Sequence, residues 1–95
     1  MTAYVVMIRE KMRDEDAFKD YAAGARAARG DHPITPLAFY GPHQVLEGAA
    51  AEGVVILSFP DMDAARAWYD SPAYAEARAH RYRAADYRVL LVDGV

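Results

Sequence analysis

The chain has 95 residues, 54 % of them hydrophobic, a formal net charge of −3 and a pI near 5.5. A length of that order makes one domain with a modest core, for which a second copy of the chain is the obvious source of extra burial. The absence of cysteine excludes disulfides, thiolate metal sites and a thiol nucleophile, and the negative balance argues against binding to a phosphate backbone.

The opening residues lack the basic start and long apolar core of a secretion signal. No apolar run approaches the roughly 20 residues of a membrane span. A cytoplasmic protein without nucleic-acid or membrane partners is expected. From Ala3 to Arg9 nearly every position is apolar, the pattern of an inner strand covered on both faces. Asp14 then stands as an N-cap before Glu15 and Asp16, and Phe18, Tyr21, Ala22 and Ala25 recur at helical spacing. This predicts a first helix from about Glu15 to Arg29, ended by Gly30 and held short by Pro33 and Pro36. Thr35 to Gly41 reads as a short second strand, and His43 to Gly48 as its extension beyond a bulge at Gly41-Pro42. A small-residue turn from Gly48 to Gly53 leads into Gly53–Phe59, a central strand stopped by Pro60.

Asp61 caps the next helix, in which Ala65, Trp68 and Tyr69 share a face. Asp70-Ser71-Pro72 breaks its axis, but Ser71 as N-cap and Pro72 at the first helical position restart a helix at once, running to about Ala84. Tyr74, Ala77, Arg78 and Arg81 lie on one face of that last helix, with Tyr69, Tyr74 and Arg81 expected to lean outward at the break. Arg78, Arg81, Arg83 and Arg88 with His80 form a basic run that reads as a solvated flank. Asp86 to Val92 makes a fourth strand. The order β-α-β-β-α-β is the split βαβ pattern: an α+β, ferredoxin-like fold with a four-stranded antiparallel sheet and helices on one face. Both alternating sets of strand residues are apolar, so something must cover the second face. The economical answer is a homodimer, sheet against sheet, closing a two-fold dimeric α+β barrel.

Several segments together carry a resemblance: Tyr4 with its alternating strand, Leu46-Glu47-Gly48, the Phe59-Pro60 strand end, the Trp68-Tyr69-Asp70-Ser71-Pro72-Ala73-Tyr74 block, Arg81, and a last strand ending in an acid and glycine. Residues 1–95 as one domain resemble the DUF1330 family of uncharacterised proteins. The resemblance implies the dimeric α+β barrel group, which includes heme-degrading and quinol-oxidising monooxygenases and muconolactone isomerase. The family usually opens its second strand with a glycine pair, where this chain has Pro33-Ile34-Thr35-Pro36-Leu37-Ala38.

Each candidate site residue carries two readings. Trp68 lies on the inward helical stripe and reads as core or as a pocket wall. Tyr40, Tyr69 and Tyr74 can shape a cavity near the helix break or simply pack. Arg78 and Arg81 can meet a carboxylate, although Arg81 can equally pair with Glu47 or with an acid of a second copy. His43 and Glu47 are the candidates for moving protons, against an exposed loop histidine and an edge-strand ion pair. Neither a histidine-glutamate metal spacing nor a glycine-rich phosphate loop occurs, so no metal or cofactor is expected. The resulting expectation is a cofactor-independent enzyme acting by acid/base chemistry on a small aromatic or carboxylate-bearing metabolite. A non-catalytic dimeric binding module and a cofactor-free monooxygenase, the latter by analogy with the group, are its rivals.

Overall fold

The computed structural model describes residues 1–95. The elements in chain order are β1 (Ala3–Met12), α1 (Glu15–Ala28), β2 (Thr35–Phe39), β3 (Gly53–Phe59), α2 (Met62–Tyr69), α3 (Pro72–Ala84) and β4 (Ala85–Asp93). The strands form one antiparallel sheet in the order β2-β3-β1-β4. This is the ferredoxin-like α+β arrangement expected from the element order.

The helix boundaries follow local chemistry. Asp14 Oδ1 accepts from the Asp16 and Ala17 amides, Asp61 Oδ1 from Ala64, and Ser71 Oγ from Tyr74, so each helix starts on the side chain that the sequence offers as a cap. Gly30, just past α1, has φ +45°, the left-handed conformation in which glycine carries no Cβ penalty.

Pairing register decides which side chains are buried. Val5 lies between Leu57 and Leu91, and Met7 between Val55 and Val89; together with Ala3 and Phe59 they face the helices. These residues join Tyr21, Trp68 and Tyr74 in the core. Tyr4, Val6 and Ile8 of the alternate set pair with Ser58, Ile56 and Val54 on one side and Val92, Leu90 and Arg88 on the other. On this second face Leu90 and Val92 are 46 % and 51 % exposed. The molecule is only 17 Å through its thinnest dimension, one helix layer on one sheet, so its own chain leaves much of that apolar face open.

One predicted strand is absent. Residues His43 to Gly48 form no strand but part of the connection between β2 and β3. Pairing stops because Tyr40 turns to φ +55°, rotating the backbone out of the extended region, and the irregularity in β2 sits between Pro36 and Ala38 rather than at Gly41-Pro42. The connection is tied at its end, where Met12 N–H donates to Glu52 Oε1 at 2.7 Å and Glu52 N–H to the Arg9 carbonyl at 2.7 Å.

The backbone of helix α1 runs close to that of α3, while toward the strands the packing is made by side chains. The seam is tight at Gly24, where a Cβ would stand 2.9 Å from Ala77 Cβ and 3.3 Å from Ala77 Cα. Gly24→Leu is therefore expected to cost about 2–3 kcal/mol through overpacking against neighbouring backbone, read as a lower urea midpoint with unchanged slope. An unchanged midpoint would show that the helices separate freely.

A candidate ligand cavity between helix α1 and the sheet

Because the backbone of α1 stands away from the strands, its side chains fill the space between unevenly. Phe18 and Tyr21 reach the core, whereas Ala22 and Ala25 on the same stripe are too short to fill the space beneath them. The result is a cavity of about 340 Å³. Its floor is Met7, Val55 and Leu57, its far wall Trp68 and Tyr74, and Arg26, Arg29 and Phe39 form an exposed mouth. The lining is overwhelmingly apolar and aromatic, as expected of a site for a small organic molecule.

Two phenol pairs bound this space. Tyr21 Oη and Tyr74 Oη lie 2.7 Å apart and buried, and Tyr40 Oη and Tyr87 Oη lie 2.5 Å apart. The left-handed turn at Tyr40 swings its ring over Gly53, where a Cβ would stand 2.6 Å from the ring, so a glycine is required there for the ring to pass. The Arg9 guanidinium sits 5.2 Å from the Phe18 ring centroid and 5.0 Å from that of Tyr40, with Glu52 at 3.7 Å. A cation between two ring faces braces the aromatic side of the cavity. At the mouth, Arg29 donates to the Ile34 carbonyl at 2.7 Å, and neither it nor Arg26 has a carboxylate partner.

A family model for a domain of unknown function, DUF1330, matches residues 2–95. The chain belongs to the DUF1330 family. No curated protein matches its sequence. Among solved structures, RPA0582 of Rhodopseudomonas palustris, a protein of unknown function, superposes with a TM-score of 0.79 at 17 % identity, covering 99 % of this chain and 82 % of that one. A dimeric ferredoxin-like protein of unknown function from Thermobifida fusca gives 0.67 at 14 % identity, over 99 % and 92 %. SnoaB, a cofactor-independent oxygenase from Streptomyces nogalater, gives 0.62 at 15 % identity, also over 99 % and 92 %. At these identities the likeness is one of fold.

In this DUF1330 domain the residues singled out from sequence occupy three places. Tyr40, Trp68 and Tyr74 line the cavity under α1. Tyr69 and Arg81 line a smaller cleft between the end of α3 and β4, and Arg78 lies against the Tyr69 ring at 4.1 Å while donating to the Tyr69 carbonyl. His43 and Glu47 border a hollow on the opposite face of the sheet, beside Ile8, Val54 and Arg88. There the His43 Nε2 lies 2.8 Å from the Ala51 carbonyl oxygen.

Three expectations need correction. Tyr74 does not lean outward: it is fully buried, since Tyr74, Ala77, Arg81 and Ala84 form the inward stripe of α3. Arg81 is not part of a solvated flank, being 3 % exposed, and Arg88 belongs to the open sheet face. Arg81 also forms no pair with Glu47, because the sheet lies between them. Sequence reasoning missed Phe18, Tyr21, Arg26 and Arg29 as lining residues. The available signal was the helical stripe Phe18, Tyr21, Ala22, Ala25, which alternates large and very small groups where a filled core would carry leucines.

Burial pushes the phenols of Tyr21, Tyr40 and Tyr74 above the ordinary value of 10.0, and the positive charges of Arg81 and Arg9 offset only part of that. They are neutral hydrogen-bonding groups near neutral pH. Their raised values mean that above pH 10 the unfolded chain releases protons that the folded chain keeps. The stability they contribute is complete below about pH 10 and declines as pH rises toward the folded values, by up to about 1.4 kcal/mol per pH unit for each phenol. Urea midpoints measured from pH 8 to 11.5 are expected to hold and then fall steeply past pH 10. A flat profile would mean that the phenols ionise freely.

Proposed function

We propose that the protein is a cytoplasmic homodimer that binds a small aromatic molecule bearing an acidic group in the cavity under α1. The observation that carries this reading is the cavity itself: about 340 Å³, walled by Phe18, Trp68 and Tyr74 and flanked at its mouth by two arginines without acidic partners. The rings favour a flat apolar body, and Arg26 and Arg29 favour negative charge at the entrance. Tyr40 and Tyr74 supply phenols that can orient a polar substituent. This assignment gives the ligand to the helix side of the sheet and leaves His43 and Glu47 outside it. A chemical step on the bound molecule, as SnoaB performs on this fold without a cofactor, has to rely on hydrogen bonds from neutral phenols, since no carboxylate or imidazole lines the cavity.

The dimer is supported by the open sheet face, where Tyr4, Val6, Ile56, Leu90 and Val92 form an apolar surface of the kind that associates, and by the dimeric state of fold neighbours such as the Thermobifida fusca protein. Light scattering at micromolar concentration is expected to give twice the chain mass, and the paired change Leu90→Glu with Val92→Glu to give a monomer. A wild-type monomer would sink the dimer.

A thermal-shift screen of small aromatic and carboxylic acids tests the ligand. A ligand at 100 times its Kd adds about 2.7 kcal/mol, a rise in Tm of roughly 10 °C or more for a domain of this size. If no aromatic acid moves the melting temperature, the cavity has another occupant class and the reading fails.

A further inference from the structure

Arg81 is the one charged residue in the buried set, at 3 % exposure. Its Nε is buried without a hydrogen-bond partner, and none of the ion pairs in the chain, Arg9–Glu52, Arg13–Asp86 and Arg66–Asp70, includes it. What surrounds it instead is aromatic: the guanidinium lies 5.1 Å from the Tyr87 ring centroid, 5.3 Å from Tyr82 and 5.9 Å from Tyr21. Ring faces lower the cost of a desolvated cation but do not neutralise it, and an uncompensated buried charge is destabilising unless something pairs with it. The side chain borders a cleft of about 200 Å³ whose other walls are Tyr69, Tyr82, Ala85, Tyr87 and Val89, with no acid among them. This cleft shares no lining residue with the cavity under α1. Tyr40, which lines that cavity, and Tyr87, which lines the cleft, meet hydroxyl to hydroxyl between the two.

We propose that this cleft is a second binding site, one for a small carboxylate, with Arg81 as its anion-binding group. A guanidinium has planar donors matched to a carboxylate, so the anion would take the charge and donors that the chain leaves unused. Tyr69, Tyr87 and Val89 give the walls an apolar and aromatic character, so the carboxylate carries a small apolar or aromatic group rather than a second charge. Tyr82, 60 % exposed, stands at the rim where such a molecule enters. The site goes beyond the ligand proposed for the larger cavity and does not depend on it.

Benzoate serves as the probe, in calorimetric titrations of the wild-type protein and of Arg81→Met, Arg81→Lys and Ala25→Trp. With the cavity under α1 blocked by Ala25→Trp, saturable binding is expected to persist, to weaken at least tenfold when Arg81→Lys, which keeps the charge without the planar fork, is added, and to become undetectable when Arg81→Met is added. In benzoate-free buffer Arg81→Met is expected to melt at or above the wild-type temperature, because the charge it removes has no partner. Ala25→Trp fills the cavity under α1 and is expected to leave benzoate affinity at Arg81 within about twofold, which separates failure of the two sites. Absence of binding to the wild type, loss of binding in Ala25→Trp alone, retention of binding in Ala25→Trp combined with Arg81→Met, or a marked fall in Tm for Arg81→Met would each overturn the proposal.

Discussion

Replacing Tyr74 by alanine is expected to lower the unfolding free energy by about 3–5 kcal/mol, the range for truncating a large buried aromatic group. Tyr74 is wholly inaccessible, with ring centroids of Trp68 at 4.1 Å, Tyr69 at 5.6 Å and Tyr21 at 6.3 Å, so three rings lose their neighbour at once. The loss also strips the Tyr21 hydroxyl of its partner. Tyr74→Phe isolates that second effect and is expected to cost only about 1–3 kcal/mol, the penalty of one unsatisfied buried polar group. Against a total stability of about 5–15 kcal/mol for a domain, the alanine variant is expected to be partly unfolded at 37 °C while the phenylalanine variant stays folded. Urea denaturation followed by the fluorescence of Trp68, the single tryptophan, measures both. If Tyr74→Ala stays within 1 kcal/mol of the wild type, the aromatic cluster does not hold α3 onto the sheet.

The second large effect concerns binding rather than stability. Ala25 lies on the α1 stripe above the cavity floor, and Ala25→Trp places an indole in the space assigned to the ligand. An aromatic acid found in the thermal-shift screen is expected to lose at least tenfold in affinity, while the free variant melts within a few degrees of the wild type, because the new ring fills a void instead of displacing packed atoms. Ala27→Trp adds the same group at an exposed position of the same helix and is expected to leave affinity unchanged. Equal affinity in all three proteins would place the ligand elsewhere.

The sequence was most legible where local chemistry acts alone. Asp14, Asp61, Ser71 and Pro72 announce helix starts that need no tertiary information, and the continuous apolar runs of β1 and β3 mark inner strands of the sheet. It was least legible where a choice depends on partners distant in the chain. His43 to Gly48 has strand-forming residues, but a single left-handed residue, Tyr40, ends the pairing before they can join it. Tyr74 and Arg81 sit two and nine positions beyond Pro72, the first helical position read for the last helix, and helical spacing places them on one face without saying which way that face turns. It turns inward. The cavity escaped notice for a related reason: periodicity marks which residues of α1 face the core, but not how closely the helix approaches its neighbours, such as α3 where Gly24 meets Ala77.

That α1 meets the strands through side chains rather than close backbone approach has an evolutionary consequence. A substitution at Ala22 or Ala25 alters the volume of the cavity without touching a strand hydrogen bond, whereas one at Val5 or Met7 disturbs the sheet itself. Lineages sharing this scaffold can therefore reshape the cavity through a few positions on one helix, each intermediate still folding. Chains with the same backbone and differently shaped cavities are the natural outcome of a helix joined to its sheet by side chains alone.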